Sequence, residues 1–204
     1  MPPATTRPRL PRALVVALVG GLLLGGLTSF LQGALPGSLS SFANSCGGWS
    51  MLVFALVRLG GARPVPAALL GLLTFFALLE GYDLVTAARG FGYSPPFTDI
   101  HWLLAVSAGP ILGAAAALTL HGTTPWRVLA VAPLSGVLIG EGLWALGAII
   151  DTTSPVYWWL QIVLGVAFLA LAIVRRRPRV LVVVAALAVT AAASVAFFLV
   201  YSAL

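Results

Sequence analysis

Seven apolar runs, separated by short polar stretches, occupy most of this 204-residue chain. They lie at residues 13–33, 42–57, 65–88, 102–120, 128–150, 156–174 and 180–204. A helix needs about 20 apolar residues to cross the hydrocarbon core of a bilayer, and most of the runs come close to that length. The runs are too long for barrel strands and do not alternate. The sequence therefore predicts an all-α, polytopic transmembrane bundle of seven spans, of which the run at 42–57 is the weakest.

The composition supports this fold class and excludes others. Apolar residues make up 60% of the chain and charged residues only 8%, whereas a soluble domain carries about 25% charged residues. So few charges exclude a soluble enzyme and a nucleic-acid-binding domain, despite the net charge of +6. We expect a basic segment at 1–12, a single membrane domain at 13–204 and the lipid bilayer as the main partner.

The basic residues predict an orientation. All 11 of them are arginine, which is typical of a GC-rich bacterial genome and points to a bacterial cell membrane. With seven spans, every arginine except Arg89 falls on the same side as the N-terminus. Cytoplasmic loops collect basic residues, so the prediction is a cytoplasmic N-terminus and an external C-terminus.

Three predicted helical hairpins, at 13–58, 65–121 and 128–175, share a pattern at their outer ends. Each has a polar residue before a glycine, then a proline in the outer loop, then a tryptophan on the returning helix. The polar residues are Gln32, Glu80 and Glu141, and the tryptophans are Trp49, Trp102 and Trp158. This pattern predicts a threefold hairpin repeat followed by one helix. Loop prolines and interfacial tryptophans are also expected in any membrane protein.

Polar and aromatic residues gather in the outer half of the predicted bundle. With a rise of about 1.5 Å per residue, Glu80 and Glu141 lie roughly 20 Å from the cytoplasmic end. Carboxylates at that depth usually serve a function, and aromatic rings beside them suit a small cationic molecule. The alternatives are an aromatic belt, and capping of the third helix by Glu80 and Asp83. The candidate ligand-binding residues are Gln32, Asn44, Trp49, Glu80, Asp83, Trp102, Glu141, Trp144 and Trp158.

Three functions are candidates, and an intramembrane enzyme ranks last because the sequence offers no nucleophile, base or metal set for it. The first is a small-molecule binding or transport subunit with an outward-facing polar and aromatic pocket. The second is a scaffold without transport activity, which would dock a partner membrane subunit through a small-residue stripe on the first helix, at Ala13, Ala17, Gly21 and Gly25. The other interpretation, which we favour for the stripe, is that it packs inside the bundle. No metal-binding, phosphate-binding or nucleophile motif is present, so we expect no catalytic residues, no metal and no cofactor.

One stretch of the chain resembles a known family. It consists of LTSFLQG at 27–33, LPG at 35–37, the sequence ANS at 43–45 and Trp49. These residues resemble small multi-pass membrane proteins of actinobacteria, grouped as a domain of unknown function, and the resemblance implies no activity. A weaker likeness is to the substrate-binding subunits of energy-coupling-factor vitamin transporters. These have about six helices, bind ligand near the outer face and carry an A-x-x-x-A pattern, as at Ala13 and Ala17 here. The seventh span departs from that architecture.

Overall fold

The computed structural model describes residues 10–98 and 100–203, and within these ranges the regular structure is helical throughout. The helices are α1 (Leu10–Ala34), α2 (Cys46–Gly60), α3 (Pro64–Ala88), α4 (Ile100–His121), α5 (Thr124–Leu129), α6 (Ala132–Ala148), α7 (Pro155–Arg176) and α8 (Val180–Ser202), with a 3-10 turn at Ser40–Asn44. Six helical segments in this part of the chain are long and apolar enough to cross a membrane, with α5 and α6 together forming one of them. The predicted all-helical membrane bundle is confirmed.

Helix α2 is the exception to the predicted set of spans. Its 15 residues extend about 22 Å, which is less than the bilayer core of about 30 Å. The C-terminal end of α2 nevertheless lies beside the start of α1, where a Cβ on Gly60 would be 3.1 Å from the Ala13 Cα. Residues 35–60 therefore return the chain to the end at which α1 began, through a turn and a short helix. Seven full-length spans are not confirmed.

Helices α1, α3 and α4 cross at unusually short range. A Cβ on Gly25 would collide with the carbonyl group of Leu78 in α3, and a Cβ on Gly71 would collide with the carbonyl oxygen of Gly109 in α4. Ala13 and Ala17 are almost completely buried. The small-residue stripe of α1 therefore packs inside the bundle, because glycine and alanine let the backbones approach closely.

Helix α8 packs much more lightly than the others. Only Ala186 and Thr190 are buried along its length. It rests on α6, where the Ser194 hydroxyl donates a hydrogen bond to the Gly136 carbonyl oxygen at 2.9 Å. A side chain at Gly140 would meet Ser194. Most of the other residues of α8 are apolar and exposed, as expected for a helix with one side toward lipid.

The helix ends form an arginine-rich end and an opposite end, which we call the Arg89 end. At the arginine-rich end, Arg58 donates to the Thr119 hydroxyl at 2.5 Å, and a ring nitrogen of His121 lies 3.2 Å from the Gly61 carbonyl oxygen. At the other end, Arg89 donates to Ser29 and lies over the Phe30 ring, 5.0 Å from its centroid. Within the described residues the structure thus separates the arginines as the sequence predicts, and Arg7 and Arg9 of the predicted basic segment lie outside those residues. The side of the membrane on which each end lies stays a prediction.

The orientation can be tested with a reporter that is active only in the periplasm. Because arginine-rich loops are retained in the cytoplasm, a reporter fused after Leu204 should be active, and one inserted in the loop at 175–179 should be inactive. Equal expression of both fusions should be checked by immunoblotting. The reverse pattern of activity, or activity at both positions, would contradict the predicted orientation.

The three polar residues of the predicted repeat have different surroundings. Gln32 and Glu80 are partly exposed, whereas Glu141 is buried. The carboxylate of Glu80 accepts a hydrogen bond from the Tyr93 hydroxyl, and Gln32 bonds to Asn44. The threefold repeat is not confirmed and stays a prediction.

Candidate functional site

A cavity of about 270 Å³, here called the inner cavity, lies between α2, α3 and α4. It extends from His101, near the Arg89 end, to Ala108, about 10 Å further along α4. Phe197 of α8 and Val137 of α6 complete its wall. The polar residues in its lining are Asn44, Ser45, Ser50, Asp83, Ser94 and His101. The inner cavity is thus a partly open space whose wall carries both polar and apolar groups.

Asp83 brings a carboxylate to the wall of this cavity. Phe75, Leu79 and Asp83 recur at intervals of four residues, so they lie on one face of α3. Asp83 is only 7% exposed, and it takes part in an interaction within the protein, as does His101. The rings of Trp49 and Tyr82 meet edge to face beside the cavity, with centroids 5.6 Å apart. A buried carboxyl group and several aromatic rings therefore share one small space.

A second cavity of about 310 Å³, here called the outer cavity, lies beside the 3-10 turn. Its lining combines side chains from the loops at the Arg89 end with side chains of α1 and α7. The lining residues are Gln32, Ser40, Ser41, Asn44, Ile149, Thr153 and Trp158. Asn44 lines both cavities. The 3-10 turn is therefore part of the wall between them.

Glu141 caps the start of α2 from a different helix. Its carboxylate oxygens accept hydrogen bonds from the backbone N–H of Cys46 at 2.8 Å, the backbone N–H of Gly47 at 2.6 Å and the side-chain amide of Gln161 at 2.8 Å. The first N–H groups of a helix have no partner within the helix, and a negative charge there is stabilised by the helix dipole. This arrangement explains how a carboxylate can be 4% exposed inside the bundle.

The start of α2 is also held by α7 and α8. The Ser45 hydroxyl accepts a hydrogen bond from the Gly48 N–H at 2.9 Å and lies 2.5 Å from the hydroxyl of Tyr157 in α7. The Cys46 thiol is hydrogen-bonded to the hydroxyl of Tyr201 in α8. Three later helices therefore position the segment that separates the two cavities.

Comparison with known proteins places the chain in a family. The model of the Family of unknown function (DUF6518) matches residues 4–204. The chain belongs to this family. The match confirms the resemblance to a domain of unknown function, and DUF6518 supplies no activity to carry over. No curated protein and no solved structure matched the chain.

The structure divides the predicted site residues of this DUF6518 member into three groups. Asn44, Trp49 and Asp83 line the inner cavity. Gln32 and Trp158 line the outer cavity, together with Asn44. The side chains that line neither cavity are Glu80, Trp102, Glu141 and Trp144. Five of the nine predicted residues therefore line two adjoining cavities, while an outward-facing ligand pocket stays a prediction.

The residues outside the cavities in this DUF6518 member have other contacts. Trp102 packs against Phe76 with ring centroids 5.1 Å apart, and Trp144 meets Tyr201 edge to face at 5.2 Å. Tyr93, in the loop after α3, donates to Glu80 at 2.9 Å, and this hydrogen bond to a carboxylate raises the pKa of Tyr93. Trp102 and Trp144 therefore pack against neighbouring aromatic rings, and Glu80 accepts a hydrogen bond from a tyrosine of the following loop.

Several cavity residues of this DUF6518 member were not among the sequence candidates. Phe75 could have been found from its four-residue spacing to Leu79 and Asp83. Ser50 carries no comparable signal. Phe197 belongs to a helix whose apolar residues are distributed all around it, so no pattern in α8 indicates which face meets the cavity.

Proposed function

We propose that this protein binds a small organic cation in the inner cavity, as a binding or transport subunit of a bacterial cell membrane. The observation that supports this most directly is the Asp83 carboxylate in a small cavity lined by aromatic rings. The cavity lies toward the Arg89 end, which the arginine distribution predicts to be external. Binding near the outer face would also agree with the likeness to the substrate-binding subunits of energy-coupling-factor transporters.

The lining suits a cation for two physical reasons. A carboxylate removed from water is strongly stabilised by a nearby positive charge, because the local dielectric constant is low. The faces of Trp49, Tyr82 and other aromatic rings attract cations, with about 0.5–2 kcal/mol per favourable contact. The volume of about 270 Å³ is close to the lower end of small-ligand sites, roughly 300–1,000 Å³. We therefore favour a compact amine or quaternary ammonium ion.

The test is binding of choline to the purified protein in lipid nanodiscs. Wild-type protein should show saturable quenching of tryptophan fluorescence, because Trp49 forms part of the cavity wall. Asp83→Asn keeps the shape of the side chain and removes its charge. The quaternary ammonium of choline has no N–H to donate, so the charge acts by Coulomb attraction, worth about 1–4 kcal/mol at 4 Å for dielectric constants between those of water and of a protein surface. This variant should therefore bind choline roughly 10- to 100-fold more weakly.

Two controls separate this result from general effects of charge and folding. Asp151→Asn makes the same change at an exposed carboxylate in the loop between α6 and α7, and it should leave choline affinity unchanged. The uncharged analogue of choline, with carbon in place of nitrogen, should bind weakly to wild type. Equal choline affinities in wild type and Asp83→Asn, or a lack of saturable binding, would reject the proposed function.

The alternative function is a scaffold that docks a partner subunit. The surface predicted for that docking is buried inside the bundle. The stripe on α1 is covered by α2 near Ala13 and by α3 near Gly21 and Gly25. A partner could reach these residues only if the bundle opened. We therefore favour the binding or transport subunit.

A further inference from the structure

The two cavities adjoin each other at a small group of neutral polar side chains. Gln32 lines the outer cavity, Tyr82 lines the inner cavity and Asn44 lines both. The side-chain amide of Gln32 donates to the Asn44 side-chain oxygen at 3.2 Å. The Tyr82 hydroxyl donates to the Gln32 side-chain oxygen, also at 3.2 Å. These three residues, here called the partition, connect α1, the 3-10 turn and α3.

The linings of the two cavities differ in charge. The outer cavity presents hydroxyl and amide groups, and its seven lining residues carry no charged side chain. The inner cavity presents the Asp83 carboxylate and more aromatic surface. Neutral hydrogen-bonding groups can replace part of the water shell of a cation without holding it as strongly as a carboxylate does. The outer cavity therefore suits a passing, partly hydrated cation, and the inner cavity suits a bound one.

The partition is held more weakly than the helix start behind it. Its two hydrogen bonds join uncharged groups and lie at the long end of the usual range of about 2.7–3.2 Å. The bonds from Cys46 and Gly47 to Glu141 are shorter and charge-assisted. A change of side-chain conformation at Gln32 or Asn44 would therefore connect the cavities while α2 stays in place.

We infer that the outer cavity is an access site for the cation and that the Gln32–Asn44–Tyr82 partition controls its passage to Asp83. This inference rests on the proposed function. A partition of this kind limits the rate at which the cation reaches and leaves the inner cavity. It contributes little to affinity, because Gln32 does not line the inner cavity.

Stopped-flow measurement of choline binding by tryptophan fluorescence tests the partition. Gln32→Ala removes both hydrogen bonds and most of the side chain. We expect association and dissociation to become about tenfold faster, with less than a twofold change in Kd. Tyr82→Phe keeps the ring in the cavity wall and removes one bond only, so it should accelerate both rates by a smaller factor.

Ser107→Ala is the control, because Ser107 is an exposed residue of α4 that lines neither cavity, and its hydroxyl donates only to carbonyl oxygens of its own helix. Its rates should equal those of wild type. Saturable choline binding with unchanged rates in Gln32→Ala and Tyr82→Phe would overturn the partition and leave the proposed function standing. Faster rates in Ser107→Ala to the same degree would also overturn it. A wild-type protein that does not bind choline would overturn the proposed function and this inference with it.

Discussion

Replacement of Glu141 with leucine is expected to destabilise the bundle by several kcal/mol. The substitution leaves the N–H groups of Cys46 and Gly47 and the amide of Gln161 without their acceptor in a buried place. Each buried donor without a partner costs about 1–3 kcal/mol. Water cannot replace the lost acceptor and lower this cost, because this part of the chain lies inside the bundle.

Glu141→Gln should be less harmful but not silent. One oxygen of Glu141 accepts from Cys46, and the other accepts from Gly47 and Gln161. A glutamine amide has one oxygen, so its NH₂ group must face at least one of these donors. We expect a loss of about 1–3 kcal/mol. The result can be measured by thermal or denaturant unfolding in detergent, where the free energy of unfolding is compared with that of wild type.

The capping role can be tested from the side of α2 as well. A Cβ on Gly47 would lie 2.8 Å from Glu141 Oε2 and 2.7 Å from Gln161 Nε2, so Gly47→Ala must displace the carboxylate. It should destabilise the protein although alanine favours helix more than glycine does. Glu80→Leu is the matched control for Glu141→Leu, since Glu80 is partly exposed and bonded to Tyr93. Equal stabilities of Glu80→Leu and Glu141→Leu would contradict the capping role.

Gly71→Val is expected to prevent the native packing of α3 against α4. A Cβ at Gly71 would collide with the carbonyl oxygen of Gly109 and lie 2.8 Å from the Gly113 Cα. These are backbone atoms, so no side chain can rotate out of the way. Overpacking a core typically costs about 1–3 kcal/mol of stability. Because the branched valine side chain would meet backbone atoms, Gly71→Val should cost about 3 kcal/mol or more. The separated helices would also enlarge the inner cavity, whose wall includes residues of both.

The control for this substitution is Gly147→Val, which changes the same residue type within α6. A Cβ at Gly147 has no neighbour within 4 Å, so the variant should keep wild-type stability within about 0.5 kcal/mol. The yield of monodisperse protein in gel filtration and the unfolding temperature measure the difference. If Gly71→Val resembles Gly147→Val in both measurements, α3 and α4 do not cross as closely as described.

Most helices could be predicted from the sequence because a membrane span has a simple physical signature. Residues 65–88 were predicted as a span and α3 is Pro64–Ala88. The segment at 42–57 shows the limit of that signature. Hydropathy describes how apolar a run is, but the break before α2 depends on the Ser45 cap and on bonds to later helices. Those contacts are not encoded in any local pattern.

The candidate site was predictable in part for a similar reason. Asp83, Trp49 and Asn44 were recognised as polar or aromatic residues in the outer half, and they line the inner cavity. Glu141 was recognised by its depth, but its partners are backbone N–H groups 94 and 95 residues away along the chain. Every residue except proline has such a group, so no side-chain pattern identifies which ones meet a carboxylate.

The position of α8 has a consequence for the biosynthesis of the protein. During translation the first seven helices leave the ribosome before Phe197 and Tyr201 do, yet Phe197 completes the wall of the inner cavity and Tyr201 bonds to Cys46. Helices α1, α3 and α4 can therefore pack against one another in the nascent chain before α8 completes the wall of the inner cavity. That wall is completed only when the lightly packed α8 docks on α6.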